Sequence, residues 1–250
     1  MFRRDPKRRK SGPASSVGPT DADRGGRRQE DRFVLYVEGP RDREILSGWA
    51  RHVAPVFGRT LERSTVILGG RQPARAVDDF RRRGGAPAGL SGLVVLDRDD
   101  HPEDPREESP AARLLEPGLE LFIWSLRHIE SYLLVPAAIR RVAPHAPDDR
   151  TLLAWIERHE AEDSRFGTTP RRRVGPHAKR MLGAGGALGE SLGCELRAGE
   201  IAKAMRRDEL HDDVHDLFAR IAALRGVAIR PSDSVSADPD GRSLLDRRVD

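Results

Sequence analysis

The sequence is poor in cysteine, in aromatic residues and in long apolar runs. Its 250 residues include one cysteine, Cys194, which excludes an intramolecular disulfide and any cysteine-rich zinc module. A single thiol suits a reducing compartment, so we expect a cytoplasmic protein. No apolar run approaches the length of a membrane span, and the N-terminus lacks the apolar segment of a secretory signal. We therefore expect no membrane partner.

Lysine is also scarce, because the basic side chains comprise 40 Arg and 4 Lys. A codon preference for arginine is the simpler explanation, and recognition of phosphate by the guanidinium group is the alternative. The net charge of +4 is uneven: residues 1–30 hold nine basic and four acidic side chains, a net of +5, so the other 220 residues sum to −1. Any surface for nucleic acid on the folded part must therefore be a local patch.

Four segments differ in composition and pattern. Residues 1–30 are rich in Arg, Gly, Pro and Ser with little apolar content, which predicts a disordered basic tail. Residues 31–135 alternate strand and helix patterns, and residues 136–226 carry amphipathic helical segments. Residues 227–250 return to Pro, Ser, Asp and Arg and are predicted to be a flexible tail. The fold class is therefore α/β: a small Rossmann-like core of parallel strands with a helical C-terminal extension.

The predicted core alternates four strands with helices and loops. Strands are predicted at 33–37, 65–68, 92–96 and 119–124, helices at 41–53 and 73–83, a polar loop at 97–117, and a helix start within 127–134.

Two of these strands end directly in carboxylates. The first continues into Glu38-Gly39-Pro40-Arg41-Asp42, and the second into Asp97-Arg98-Asp99. Because the carboxyl ends of parallel strands share one edge of a sheet, we expect these acids to lie close together. Clustered carboxylates repel each other unless a cation neutralises them, and Mg²⁺ prefers oxygen ligands. Helix capping is the alternative for each acid alone, but the set together predicts an acidic metal site.

This layout resembles the TOPRIM domain over about residues 31–135. The resemblance consists of Glu-Gly-x-x-Asp after one strand, Asp-x-Asp after another 59 positions later, and the Gly69-Gly70 turn between them. The segment Ile129-Glu130-Ser131-Tyr132-Leu133 is similar to the Ile-Glu-x-x-Leu element of the OLD-family (overcoming lysogenization defect) nucleases. OLD proteins carry an ATPase, whereas this sequence has no Walker A motif. The resemblance implies a stand-alone TOPRIM nuclease working with a separately encoded ATPase.

The resemblance and the chemistry of phosphodiester cleavage together suggest roles for individual residues. Two Mg²⁺ or Mn²⁺ ions are expected, one held by Asp97 and Asp99 with Glu38 nearby or bridging, the other by Asp42 and Glu130. Glu38 has an alternative role as general acid or base. Lys179 corresponds to a family lysine that stabilises the transition state, and Arg98 and Arg127 are predicted to contact substrate phosphates. The predicted catalytic residues are thus Glu38, Asp97, Asp99 and Lys179.

The leading functional hypothesis is a metal-dependent nuclease acting on DNA or RNA, in a setting of bacterial defence by resemblance. The first alternative is an effector or binding subunit of a separately encoded ATPase, with the acidic site latent in isolation. The second is a primase-like nucleotidyl transferase, which no further motif supports. The sequence leaves open whether the chain forms a homo-oligomer.

One further motif is interpreted as structural. His211-Asp212-Asp213-Val214-His215 is similar to the zinc-binding His-Glu-x-x-His helix, but it has Asp in place of Glu and no evident third ligand. We interpret it as the exposed polar face of a helix whose apolar face is Val214, Leu217 and Phe218.

Overall fold

The computed structural model describes residues 32–99, 114–165, 178–183 and 185–227. The predicted basic tail, residues 1–30, lies outside the described residues. The predicted C-terminal tail does so as well, apart from its first residue, Val227.

A five-stranded sheet forms the centre of the described fold. The strands are β1 (Phe33–Val37), β2 (Thr65–Ile67), β3 (Ser91–Leu96), β4 (Leu114–Glu116) and β5 (Leu119–Ile123), in the order β2-β1-β3-β5-β4. Strands β2, β1, β3 and β5 are parallel, and β4 pairs antiparallel with β5. The sheet confirms the predicted parallel α/β core. All five residues of the apolar strand β1 are buried, as is typical of a parallel strand covered on both faces.

Strand β4 corrects the sequence prediction, which assigned residues 97–117 entirely to a loop. Its three residues form a hairpin with β5, and Gly118 adopts the positive φ of 80° that this turn requires. A three-residue strand is too short to show an alternating pattern, so no periodic signal was available.

Nine α-helices are present in the described residues. They are α1 (Pro40–Val53), α2 (Gly58–Ser64), α3 (Pro73–Arg82), α4 (Pro136–Val142), α5 (Asp149–Arg165), α6 (Ala178–Met181), α7 (Ala187–Leu192), α8 (Ala198–Ala204) and α9 (Asp212–Arg225). Helices α1 and α3 confirm the two predicted core helices, whereas α2 was not predicted. Of the helices in the described ranges, none is long and apolar enough to cross a membrane.

Of the helices after β5, α8 packs on α1, and α9 packs directly against β3. Gly48 of α1 lies so close to α8 that a Cβ atom there would be 2.8 Å from the Cβ of Ala202. The indole Nε1 of Trp49 donates a hydrogen bond to Sδ of Met205 at 3.3 Å. Trp49, Ile201, Leu217 and Phe218 belong to one buried apolar cluster with the inner residues of β1 and β3. The extension therefore shares its core with the sheet, and this packing brings α6 and α9 towards the ends of the strands.

Candidate metal centre

Glu38 and Asp97 meet where β1 and β3 end. The two strands are neighbours and parallel, so both chain exits leave the same edge of the sheet. The backbone N–H of Asp97 donates a hydrogen bond to Oε1 of Glu38 at 2.8 Å. Behind Glu38, the N–H groups of Gly69 and Gly70 both donate to its carbonyl oxygen, at 3.0 and 2.9 Å. These two hydrogen bonds hold the backbone of Glu38 in place. The turn that makes them has φ values of 79° and 119°, which favour glycine at both positions.

The segment after β5 adds a third acid to this edge. It forms a 3-10 turn, Ile129–Leu133, in which Glu130 is 1% exposed. The N–H of Ile129 donates to Oδ1 of Asp97 at 2.8 Å, which ties the turn to β3. Glu38, Asp97 and Glu130 thus come together from three separate parts of the chain.

Asp42 belongs to the same cluster from the first turn of α1. Its Oδ2 accepts a hydrogen bond from the N–H of Gly39 at 2.8 Å. Burial above all, with the charges of Asp97, Glu130 and Glu38, raises the pKa of Asp42 to about 7 against the opposing hydrogen bond from Gly39. These mutual effects place Asp42 within electrostatic range of the other three carboxyls.

The remaining carboxyls are also harder to ionise than free ones. Burial raises the pKa of Glu38, and the charges of Asp97 and Asp99 add to that effect. Burial likewise raises the pKa of Asp97, against the opposing hydrogen bond from Lys179. It raises the pKa of Glu130 against the opposing charges of Lys179 and Arg41. Burial is thus the largest cause for each of these carboxyls, and neighbouring carboxyls add to it, so a divalent cation bound here would favour their ionised forms.

Two cationic side chains touch the cluster. Nζ of Lys179 in α6 lies 2.5 Å from Oδ2 of Asp97. Nη1 of Arg41 lies 3.3 Å from Oε1 of Glu130, and the Arg41 side chain is 46% exposed. Burial alone would lower the pKa of Lys179, but its hydrogen bond to Asp97 and the charges of Asp97, Glu130 and Asp42 outweigh burial and raise it. Lys179 is therefore protonated at neutral pH.

Asp99 occupies the open side of the cluster. Its side chain is 41% exposed and lies 3.9 Å from Nη1 of Arg71 and 3.7 Å from Nε2 of His128. Its backbone has a φ of 53°, in the left-handed region that non-glycine residues rarely adopt. A backbone hydrogen bond of 2.9 Å from Asp99 N–H to the Arg127 carbonyl holds this conformation. Such strain is typical of functional sites.

The carboxylate oxygens are of the type that a hard divalent cation prefers, but they do not converge on one point. Within the parts of the chain that the structure describes, no three His, Cys, Asp or Glu side chains form a ready-made metal site. Asp97 and Glu130 instead each direct one oxygen to a cationic side chain. The second oxygen of Glu130, Oε2, is buried and has no hydrogen-bond partner among the described residues. An unpartnered buried carboxylate oxygen is costly and is a suitable ligand for Mg²⁺ or Mn²⁺.

The predicted phosphate contacts, Arg98 and Arg127, lie beside the cluster. Arg98 is buried, and its Nη1 donates to the Ser125 carbonyl at 3.1 Å. Arg127 is half-buried. Contact of either residue with substrate stays a prediction.

Sequence reasoning missed Arg41 and Arg71 as parts of this site. Arg71 also donates from Nη1 to the Asp97 carbonyl. Arg41 lies inside the Glu-Gly-x-x-Asp motif and Arg71 directly follows the Gly-Gly turn, so proximity to a motif was the available signal.

The expectation of a wholly exposed polar face at His211–His215 is wrong for Asp213. The Nδ1 atom of His211 accepts a hydrogen bond from the Asp213 N–H at 3.1 Å and so caps α9. Asp213 itself is only 4% exposed, because it bonds to the segment after β5.

The described fold is that of an α/β protein with a Rossmann-like parallel sheet, an acidic cluster at its carboxyl edge and helices after it. No protein-family model matches the sequence, and no curated protein matches it. Solved structures of OLD-protein C-terminal regions are similar to the chain. For Xanthomonas campestris pv. campestris the identity is 17%, the TM-score is 0.44, and 78% of this chain and 96% of that chain are covered. For Burkholderia pseudomallei the identity is 15%, the TM-score is 0.42, and 78% of this chain and 98% of that chain are covered.

Proposed function

We propose that this chain is a divalent-metal-dependent nuclease that hydrolyses phosphodiester bonds in DNA or RNA. The observation that supports the proposal is the gathering of Glu38, Asp42, Asp97 and Glu130 at the carboxyl edge of the sheet. Together with Asp99, they provide enough oxygen donors for two Mg²⁺ or Mn²⁺ ions. The resemblance of the motifs to OLD-family TOPRIM domains extends the proposal to bacterial defence in the cytoplasm with a separately encoded ATPase.

Each proposed ligand set combines acids from separate parts of the chain. Asp97 and Asp99 would hold one ion with Glu38, while Asp42 and Glu130 would hold the other. When bound, such ions supply an activated water and neutralise the charge on the phosphate and leaving oxygens. The chain's own task is to hold the acids in place through the Gly69-Gly70 turn and the Ile129–Asp97 hydrogen bond.

Two side chains have properties that suit direct participation. Lys179 stays protonated at neutral pH, so it can stabilise the negative charge of a phosphate in the transition state. Burial raises the pKa of Glu38 towards neutral pH, where a general acid or base is most effective.

A cleavage assay tests the proposal. The purified chain is incubated with Mg²⁺ or Mn²⁺ and labelled single- and double-stranded DNA and RNA. We expect cleavage by the wild type and its loss in Glu38→Ala and in the Asp97→Ala, Asp99→Ala double variant, with unchanged circular dichroism. Glu157→Ala removes an exposed carboxylate of α5 and should cut normally.

Two other outcomes of the assay separate the alternatives. Cleavage that appears only after addition of an ATPase encoded beside this chain would favour the effector-subunit alternative. A folded wild type that cuts no nucleic acid with either metal, alone or with that ATPase, would contradict the proposal.

A further inference from the structure

A buried hydrogen-bond network connects α9 to the segment that carries Glu130. Asp213, in the first turn of α9, is 4% exposed, and its Oδ2 accepts a hydrogen bond from the Ser125 N–H at 3.2 Å. The same oxygen accepts a short hydrogen bond from the hydroxyl of Tyr132. That hydroxyl in turn accepts from the N–H of Leu126 at 3.0 Å. One carboxyl and one hydroxyl therefore join the two ends of segment 125–132.

The residues around this network hold it in one geometry. The ring of Tyr132 contacts Trp124 at 4.9 Å and His211 at 5.2 Å between centroids. His211 also caps α9 by accepting from the Asp213 N–H. Farther along α9, Leu217 and Phe218 are fully buried in the core. Asp213 is thus presented to segment 125–132 from a helix that is capped at its N-terminus and buried along its apolar face.

Glu130 lies between two anchors of its segment. On the side of the metal centre, Asp97 accepts the hydrogen bond from the Ile129 N–H. On the side of α9, Asp213 holds Tyr132 and Ser125. Taking a carboxylate out of water is costly, and a well-packed apolar side chain often stabilises a core equally well. The effect that an apolar side chain could not reproduce is the fixed orientation of the segment.

We infer that Asp213 is a positioning residue of the metal centre, acting through Tyr132 and the backbone of Ser125 and Leu126 to orient Glu130. The expected consequence, an effect on metal binding, rests on the proposed function. Its immediate effect, order in segment 125–132, does not depend on the metal. The motif at His211–His215 thereby gains a role, because its Asp213 supports the metal centre without being a ligand.

Two measurements on the full chain test the inference. The first is Mn²⁺ affinity, from calorimetric titration without nucleic acid. The second is hydrogen–deuterium exchange of peptides covering residues 125–133, measured in EDTA. Both are made on the wild type and on Asp213→Ala, Tyr132→Phe and the double variant. The matched control is Asp212→Ala, which removes an exposed carboxylate from the same helical turn.

We expect Asp213→Ala to weaken Mn²⁺ binding by about tenfold, which is typical of groups that orient metal ligands. Tyr132→Phe, which deletes a single oxygen, should weaken it several-fold, and the double variant should be little worse than Asp213→Ala because both changes break one network. Exchange in 125–133 should be faster in all three. Asp212→Ala should match the wild type in both measurements.

A conservative variant, Asp213→Asn, and Tyr132→Phe keep the test decisive if Asp213→Ala fails to fold. Asp213→Asn retains an oxygen that can accept from Ser125 and Tyr132, so it should restore most of the affinity and protection. Wild-type affinity and exchange in folded Tyr132→Phe and Asp213→Ala would overturn the inference. A wild type that binds no Mn²⁺, with exchange still faster in Asp213→Ala, would overturn the proposed function but leave the positioning of the segment by Asp213 standing.

Discussion

Lys179 in α6 and Asp97 at the end of β3 form an ion pair across 82 positions of the chain, with Nζ 2.5 Å from Oδ2. Asp97 is almost fully buried, whereas the lysine side chain is 40% exposed. The pair is therefore asymmetric, because a carboxylate fixed by the sheet faces a cation that can move. Under the proposed function, a divalent ion at Asp97 would have to share this oxygen with Lys179 or displace the lysine towards substrate.

Replacing Lys179 with methionine should separate catalysis from metal binding. Lys179→Met keeps most of the length of the side chain but removes its charge, so we expect the cleavage rate at saturating metal to fall by about a hundredfold or more. Mn²⁺ affinity should be retained or increased, because the competing cation at Asp97 is gone. Single-turnover kinetics and calorimetric titration measure the two effects.

Lys203→Met is the matched control for this change. Lys203 pairs with Glu200 on α8 at 2.7 Å and is half-exposed, so its loss should leave the cleavage rate unchanged. A Lys179→Met rate close to that of the wild type would exclude the proposed role of this lysine.

Arg41 should compete with the metal at Glu130. Its Nη1 lies 3.3 Å from Oε1 of Glu130, so the pair neutralises a carboxylate that the proposal assigns to an ion. Glu130 is buried, but the Arg41 side chain is 46% exposed and can turn into solvent, so a divalent cation of higher charge can take its place. We expect Arg41→Gln to bind Mn²⁺ several-fold more tightly in calorimetric titration. Arg43→Gln, two positions along α1, is the control, and weaker Mn²⁺ binding in Arg41→Gln would show that the arginine assists the ion.

The contact between α1 and α8 should depend on the small size of Gly48. A Cβ at this position would lie 2.8 Å from the Cβ of Ala202 and 3.1 Å from the backbone nitrogen of Lys203. We expect Gly48→Ala to lower the free energy of unfolding by about 1 to 3 kcal/mol, because backbone must move to admit the methyl group. Urea denaturation at pH 7 measures the change.

Gly58→Ala provides the opposite expectation in the same assay. Gly58 begins α2, and among the described residues nothing lies within 4 Å of its Cβ position. The substitution should raise the free energy of unfolding by roughly 0.4 to 1 kcal/mol, because alanine loses less backbone entropy on folding. Equal effects of the two substitutions would contradict the close packing of α8 on α1.

The sequence predicted those parts of the site that depend on strand ends. Glu38 and Asp97 follow apolar runs, and neighbouring parallel strands bring such positions to one edge whatever the rest of the chain does. The contacts of Arg41, Arg71 and Asp213 were not predictable, because they depend on how loops and α9 pack. A buried aspartate in the first turn of a helix looks the same in sequence as an exposed one. The metal and substrate roles of the predicted residues stay predictions.

Asp42 should make the metal-free protein less stable as pH rises. Its pKa is about 7 in the folded chain, against an ordinary value of 3.8. The folded protein therefore keeps a proton that the unfolded chain has already released between these two values. Stability falls with rising pH over this interval, and the loss is complete above about pH 7. At about 1.4 kcal/mol per pKa unit, the total loss is on the order of 4 kcal/mol.

Asp42→Asn should remove this penalty, because the amide carries no charge and its oxygen can still accept from the Gly39 N–H. Urea denaturation in EDTA should show the variant to be more stable than the wild type at pH 8 by a free energy of unfolding on the order of 4 kcal/mol, with the difference vanishing near pH 4. Asp78→Asn, an exposed substitution on α3, should show no such difference. If excess Mn²⁺ stabilises the wild type at pH 8 but Asp42→Asn much less, the destabilising charge of Asp42 is the same charge that holds the ion. Equal stabilisation of both by Mn²⁺ would remove Asp42 from the ligand set.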